Sequence, residues 1–431
     1  MAAGFRPSSP GTHGSETAVN PAQLEPVAPG ERIATLDVLR GFALGGILLM
    51  NMEAFVGPVM GSYSGLDPAL AGVDRIADGL VYFFVQGKFF TLFSLLFGMG
   101  FAMMAQRADA SGRPFVGLYF RRGLALLGIG LVHALLVWSG DVLVTYALLS
   151  FPLLAFHATP ARVLAWLGAA CYLAAPALLM GLGFLSLWVP GWDEFMAVQG
   201  QQMEAMLEAQ RQAYGAGGYA TAVAQRMADF GLMLSNLLVM GVLVFGMFLI
   251  GAAFMRSGAI QRPELHPRLY RMLREGVLPL GVLLMLASFV IQPSVALNSF
   301  TLRQATAQSL GLVAGALMCL GYVAWVMWLL ARPVGQRWLG WLAPAGRMAL
   351  TNYLVQSIVC TLVFYGYGLG FFEHLPRLWQ IPFALGLFAV QVLYSQWWLE
   401  RFRFGPAEWL WRSLTYLKPQ PMRLAVAQAG S

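Results

Sequence analysis

The sequence predicts an all-α integral membrane protein, a bundle of about ten transmembrane helices with both termini in the cytoplasm and one extramembrane helical excursion. Three observations carry this. Of 431 residues, 58% are apolar and only 11% charged, against roughly 25% charged in an average soluble domain, so a soluble fold could not cover its surface; the mean hydropathy of +0.65 agrees. Ten apolar runs approach or exceed the roughly 20 residues that cross a hydrocarbon core about 30 Å thick. Lys and Arg collect in alternate loops.

The first thirty or so residues are Pro, Gly, Ser, Ala and Glu without an apolar core. Residues 1–30 therefore read as a disordered cytoplasmic tail and not a cleaved signal peptide. Runs near 36–56, 87–106, 120–138, 141–157 and 162–189 give an N-terminal five-helix half, residues 31–190. Over 191–230 the pattern changes: Asp193, Glu194, Glu204, Glu208, Arg211, Arg226 and Asp229 interleave with Met, Ala and Gln. This segment reads as an extracytoplasmic helical excursion with a Gly-rich break at Tyr214 to Gly218. Runs near 231–255, 272–292, 306–331, 346–368 and 380–400 complete a C-terminal half, residues 231–400. Residues 401–431 form a cytoplasmic tail whose Trp409, Trp411 and Arg412 suit an interfacial helix.

With the N-terminus inside, 21 of the 27 Lys and Arg residues fall on the cytoplasmic face, among them Arg107, Arg113, Arg256, Arg262, Arg268, Arg271 and Arg274. Only Arg75, Lys88, Arg211, Arg226, Arg303 and Arg377 fall on the other. The basic residues are topology signals, scattered instead of striped, so a net charge of +7 does not point to nucleic acid. Cys171, Cys319 and Cys360 all lie in apolar runs with no metal-binding or disulfide spacing. They read as small buried hydrophobes, and no metal site is expected. Gly41 with Gly45, and Gly311 with Gly315, have the small-xxx-small spacing of packed helices.

Polar groups inside spans are the informative ones, because a central charge costs at least about 2.5 kcal/mol on insertion scales. The first helix opens with Arg32, Asp37 and Arg40, and Asn51 follows. Arg40 and Asn51 differ by about 20° in azimuth and roughly 16 Å along the axis, so they share a face that lines an interior path or, alternatively, anchors the helix end and bonds a neighbour. His133 is the only histidine well inside a predicted span, and the Ser139-Gly140 turn returns Asp141 to its end. A carboxylate fixes the imidazole tautomer and raises its basicity. The pair could serve as a general base, relay protons or form a structural hydrogen bond between helices. Arg122 shares the His133 face at the cytoplasmic end, beside Arg121. Lys88, at the start of its helix, has a stem long enough to snorkel outward. In the run from Gly346 and Arg347 to Ser357, Asn352 and Gln356 are i, i+4 neighbours facing a helical partner or a cavity.

Several segments together resemble the YeiB-like bacterial membrane proteins, which carry domain of unknown function 418. They are Arg32-x-x-x-x-Asp37-x-x-Arg40-Gly41, Gly87-Lys88-Phe-Phe-Thr-Leu-Phe-Ser-Leu-Leu-Phe-Gly98, His133 with Gly140-Asp141-x-Leu-x-x-Tyr146, Gly346-Arg347-Met-Ala-Leu-Thr-Asn352-Tyr353, and Arg403-Phe-Gly-Pro-x-Glu408-Trp409-x-Trp411-Arg412. The first helix is also similar to that of the heparan-alpha-glucosaminide N-acetyltransferase group of membrane acyltransferases, with its D-x-x-R-G opening and later Asn. The resemblance implies a multi-pass protein of the bacterial cytoplasmic (inner) membrane. It also implies acyl transfer from a cytoplasmic carrier, with acyl-coenzyme A as donor, to a small-molecule or glycan acceptor across the bilayer. Under that reading Arg40, Arg121 and Arg122 hold carrier phosphates, with Asp37, Lys88, Arg347, Asn352 and Gln356 completing the substrate or carrier site. His133 with Asp141 deprotonates the acceptor, and Asn51 orients a carbonyl. The acetyltransferase group places its histidine after helix one, whereas residues 57–87 contain none, so His133 would have to substitute. A secondary transporter using His133 and Asp141 as a proton site, and a non-catalytic scaffold or sensor, remain as other readings.

Overall fold

The computed structural model describes residues 34–63 and 65–424. The tail 1–30 and the basic residues Arg6 and Arg32 lie outside the described residues. Helix α1 spans Ala34–Val56, α2 Gly72–Phe84, α3 Lys88–Ser111, α4 Val116–Leu136, α5 Leu143–Leu153 and α6 Ala161–Leu185. The excursion contains α7, Trp192–Gln210, and a π turn over Arg211–Ala216, after which α8 runs unbroken from Tyr219 to Arg256. Then come α9, Pro267–Met272, α10, Leu278–Ile291, α11, Leu302–Leu330, α12, Pro333–Leu339, α13, Ala343–Arg347, α14, Ala349–Phe364, α15, Arg377–Leu399, and α16, Pro406–Tyr416.

This is the fold of a helical membrane protein. Among the described residues, eight helical stretches are long and apolar enough to cross a bilayer, and the pair Pro333–Arg347 with Ala349–Phe364, bent by 79°, adds a ninth. The remaining predicted span is shorter than expected. With its 3-10 extension α5 covers Leu143–Phe156, about 21 Å at 1.5 Å per residue, which falls short of a hydrocarbon core about 30 Å thick.

Two other elements differ from the sequence reading. α2 replaces part of a predicted loop: its Ala77, Asp78 and Val81 are buried while Val73, Ile76, Leu80 and Phe84 are exposed, an amphipathic pattern masked by Asp74, Arg75 and Asp78. The second half of the excursion and the following span form one 38-residue helix. Gly217 and Gly218 are extended and break the chain between the π turn and α8, where the Gly-rich break was expected.

Small residues set the closest helix crossings. A Cβ at Gly98 would overlap the Phe248 carbonyl, and one at Gly251 the Leu95 carbonyl, so α3 and α8 touch backbone to backbone. Likewise a Cβ at Gly41 would overlap the Leu342 carbonyl, and one at Gly346 the Asp37 carbonyl. The first predicted small-residue pair is thus helix packing, with Gly45 against the Phe388 ring; Gly315 approaches the Gly87 carbonyl and Gly311 the Ser288 hydroxyl. The α3–α8 crossing lies in the apolar cluster that includes Leu95, Met99, Met247, Phe248 and Leu249.

Candidate functional site

His133 stands in the last turn of α4, and the turn through Ser139 and Gly140 folds Asp141 back against it. The Nδ1 of His133 lies 2.7 Å from Asp141 Oδ1, and Oδ2 accepts the Val144 backbone N–H at 2.7 Å. Asp141 therefore caps the start of α5 and holds the imidazole at once. An ionised carboxylate only accepts, so the neutral ring carries its proton on Nδ1 and a lone pair on Nε2. His133 is 1% exposed, and its Nε2 is buried with no hydrogen-bond partner. The Tyr353 ring lies 5.2 Å from the imidazole and the Trp138 ring 6.4 Å. Trp138 packs on Phe55 at 4.1 Å, which brings the end of α1 to the same place.

The excursion roofs this centre. Arg226, fully buried, donates to the Leu136 carbonyl at 3.0 Å and to the Tyr367 hydroxyl at 2.9 Å. The Tyr219 hydroxyl donates to the same carbonyl. Together they satisfy the C-terminal end of α4, three residues past His133 in the chain direction of Asp141. The Arg226 guanidinium lies 5.6 to 5.9 Å from four tyrosine rings, those of Tyr214, Tyr219, Tyr365 and Tyr367, a cation–π enclosure. Tyr214 donates its hydroxyl proton to Asp229 and lies 3.3 Å from the Ser139 hydroxyl in the turn. Burial, with the Asp229 carboxylate beside it, pushes the Tyr214 phenol far above its usual range, so it stays a donor.

At the opposite end of α4, Arg40 pairs with Asp37 at 3.0 Å, as the i, i+3 spacing predicts. The Arg122 guanidinium stacks on Trp411 of α16 at 3.6 Å, and the Trp411 indole donates to the Arg122 carbonyl. Arg121 donates to the Thr415 carbonyl. Arg40 and Arg412 are close enough to Arg122 to repel it, so three guanidinium groups share this end. The tail helix α16 is thus docked on the bundle, although Leu410, Leu414 and Leu417 remain exposed for an interface.

Glu408 explains the bent pair. At the bend, Met348 has φ −110° and ψ 31°, and α14 starts with unpaired amides. Glu408 Oε1 accepts from the Leu350 and Thr351 N–H groups, and Oε2 from the Thr351 hydroxyl, a carboxylate at a helix N-terminus. Burial pushes this carboxyl up, against the opposing pull of those donors. Beyond the bend, Asn352 donates to Ala345 and to Ser395 of α15, and Gln356 donates to Gln391. Both face a helical partner, as their spacing predicts. Arg347 sits half-buried at the bend itself.

Two candidates stand apart. Lys88 does not snorkel: it is 0% exposed, and its ammonium donates to the Tyr82 carbonyl at 2.9 Å. α2 and α3 run on as one stretch, Gly72–Ser111, and the Lys88 stem points back along it to a carbonyl near the end of α2. Asn51 makes no hydrogen bond among the described residues and remains half-buried on α1. A further network went unread: Arg377 bonds Asp78 at 2.8 Å, Glu53 at 3.1 Å and Gln380 at 2.7 Å. Its only sequence signal is an acidic residue near the end of the first span.

Residues 254–418 match the family described as protein of unknown function (DUF418). Over 422 residues the chain is 35% identical to the uncharacterized protein YxaH of Bacillus subtilis, covering 93% of this chain and 98% of that one. It is 34% identical over 404 residues to the uncharacterized protein YeiB of Escherichia coli, covering 89% and 96%. The chain belongs to the YeiB family. An uncharacterized 39.9 kDa protein of Bacillus acidopullulyticus is 27% identical over 418 residues, 93% of this chain and 99% of that one. In this YeiB-family chain the DUF418 match takes in the bend, Asn352 and Glu408, while the His133–Asp141 centre precedes it.

Proposed function

We propose that this protein is a transmembrane acyltransferase of the bacterial cytoplasmic membrane, with both termini in the cytoplasm and ten membrane passes, the short α5 counted as one of them. The observation that carries the reading is the His133 imidazole, held through Nδ1 by Asp141 and presenting an unbonded Nε2. Nε2 takes the proton of an acceptor hydroxyl or amine as that oxygen or nitrogen attacks the acyl carbonyl carbon. The carrier thiolate leaves and takes the proton back from Nε2. Asn51, with its amide uncommitted, lies one turn before Ala54, whose carbonyl accepts from Trp138 beside His133, and would orient the carbonyl. Acyl-coenzyme A is the proposed donor. Arg40, Arg121, Arg122 and Arg412 together make the cationic end that its phosphates require.

Proton-coupled transport is the second reading. The burial of His133 favours it, as does the 79° bend, since broken spans line substrate sites in transporters. Against it, the α14 amides that such a site would offer are already bound by Glu408.

Thermal unfolding of the detergent-purified chain with acetyl-coenzyme A, longer acyl-coenzyme A species and free coenzyme A tests the proposal, because a ligand of the folded state raises the melting temperature by mass action. A saturable rise, together with acyl transfer that is lost in His133→Ala, supports it. No rise with any of these donors at well above micromolar concentration overturns it and leaves transport.

A further inference from the structure

A second cationic centre lies away from the residues used above. Where α8 ends, Met255, Arg256, Ser257 and Gly258 form one wall of a cavity of about 230 Å³; Gln106 of α3 and the loop residues Gln261, Arg262, Leu265 and His266 close it. Arg256 is its decisive feature. Both Nε and Nη2 are buried and have no partner. A cation in the last turn of a helix ordinarily meets the free carbonyls there. Here the Ala253 and Met255 carbonyls accept instead from the Ser257 and Gly258 amides. A buried donor without a partner is costly, and no carboxylate lines the cavity.

The geometry assigns this cavity as a binding site for a phosphate-bearing anion. A guanidinium presents its donors as a planar fork matched to phosphate oxygens. Arg262 at the rim adds a second cation, and the Gln106 and Gln261 amides, 3.5 Å apart, can turn toward the remaining oxygens. The volume lies below the roughly 300–1,000 Å³ typical of drug-sized ligands, so the site takes a small phosphorylated group and not a whole nucleotide carrier. On α3, Gln106 is turned about 120° from Gly100, which faces Arg40. The site is therefore independent of the acyl-transfer reading. It opens on the face that the basic residues mark as cytoplasmic, where both anionic lipid headgroups and soluble phosphate esters are available.

The test uses the full chain in a non-ionic detergent at constant ionic strength, with inorganic phosphate, glycerol 3-phosphate or short-chain phosphatidic acid as probe and chloride as control. Melting temperature is followed against concentration. We expect a saturable rise with a phosphate probe and none with chloride. Binding should weaken at least tenfold in Arg256→Gln and measurably in Arg262→Gln, whose exposed side chain can be replaced without disturbing the fold. A rise confined to phosphatidic acid identifies a lipid headgroup; equal rises with phosphate or glycerol 3-phosphate identify a soluble ester. No saturable rise with any probe, or the same rise in Arg262→Gln and Arg256→Gln as in the wild type, overturns the assignment.

Discussion

Replacing Asp141 by Asn changes one atom and should invert the chemistry of His133. Asp141 accepts two hydrogen bonds of 2.7 Å, one from His133 and one from the Val144 amide. Asn has one carbonyl oxygen. Val144 N–H can only donate, so the oxygen must turn to it, leaving the Asn NH2 toward His133. The imidazole then has to accept at Nδ1, and its proton moves to Nε2. The base becomes a donor. One charge-assisted hydrogen bond is exchanged for a neutral one, a loss within the roughly 1.5–3 kcal/mol such bonds contribute. Asp141→Ala strands both the His133 and Val144 donors, at about 1–3 kcal/mol each, and should destabilise more. Imidazole nitrogen NMR on 15N-histidine-labelled protein in nanodiscs reads the tautomer, and chemical unfolding reads the stability. Wild type should show protonated Nδ1, and Asp141→Asn protonated Nε2 in a folded protein. If both carry the proton on the same nitrogen, Asp141 does not set the tautomer and the general-base role of His133 fails with it.

Other outcomes follow from the same geometry. Glu408 has its carboxyl pushed up in the folded state, so its contribution to stability is complete below the unfolded carboxyl value and is lost as pH rises through the folded one; wild type should gain stability from neutral toward mildly acidic pH by more than Glu408→Gln, and parallel profiles would refute the assignment. Tyr214→Phe removes the donor to Asp229 and the hydroxyl beside Ser139 and should cost about 1–3 kcal/mol, with faster amide exchange in the turn holding Asp141. Lys88→Met replaces a buried cation that makes no ion pair among the described residues; unfolding should show stability unchanged or raised, and a loss above about 2 kcal/mol would mean the ammonium is structurally required. Gly98→Leu drives a side chain into the Phe248 backbone, where neither helix can yield, and should lower expression and stability by more than the roughly 1–3 kcal/mol of ordinary overpacking.

The membrane class, most of the helices and the pairing of His133 with Asp141 were legible from residue order. Each depends on short-range regularities: the length of an apolar run, the 3.6-residue period, and a turn too short to carry Asp141 anywhere else. The polar residues in spans were legible as important, because the bilayer makes them costly. Their partners were not. Glu408 reaches the α14 amides across 58 residues, and Arg226 reaches the Leu136 carbonyl across 90. Lys88 was read from its stem as snorkelling, but it is fully buried and its ammonium is held by the Tyr82 carbonyl at the end of α2. The short α5 and the bend at Met348 escaped hydropathy, which counts apolar residues without registering where backbone hydrogen bonds end. The Arg256 cavity exists because chain segments about 150 residues apart, at Gln106 and Gln261, meet at one end of the bundle. Residue chemistry fixed which groups needed partners, and helix packing alone decided which partners they found and which donors it left open.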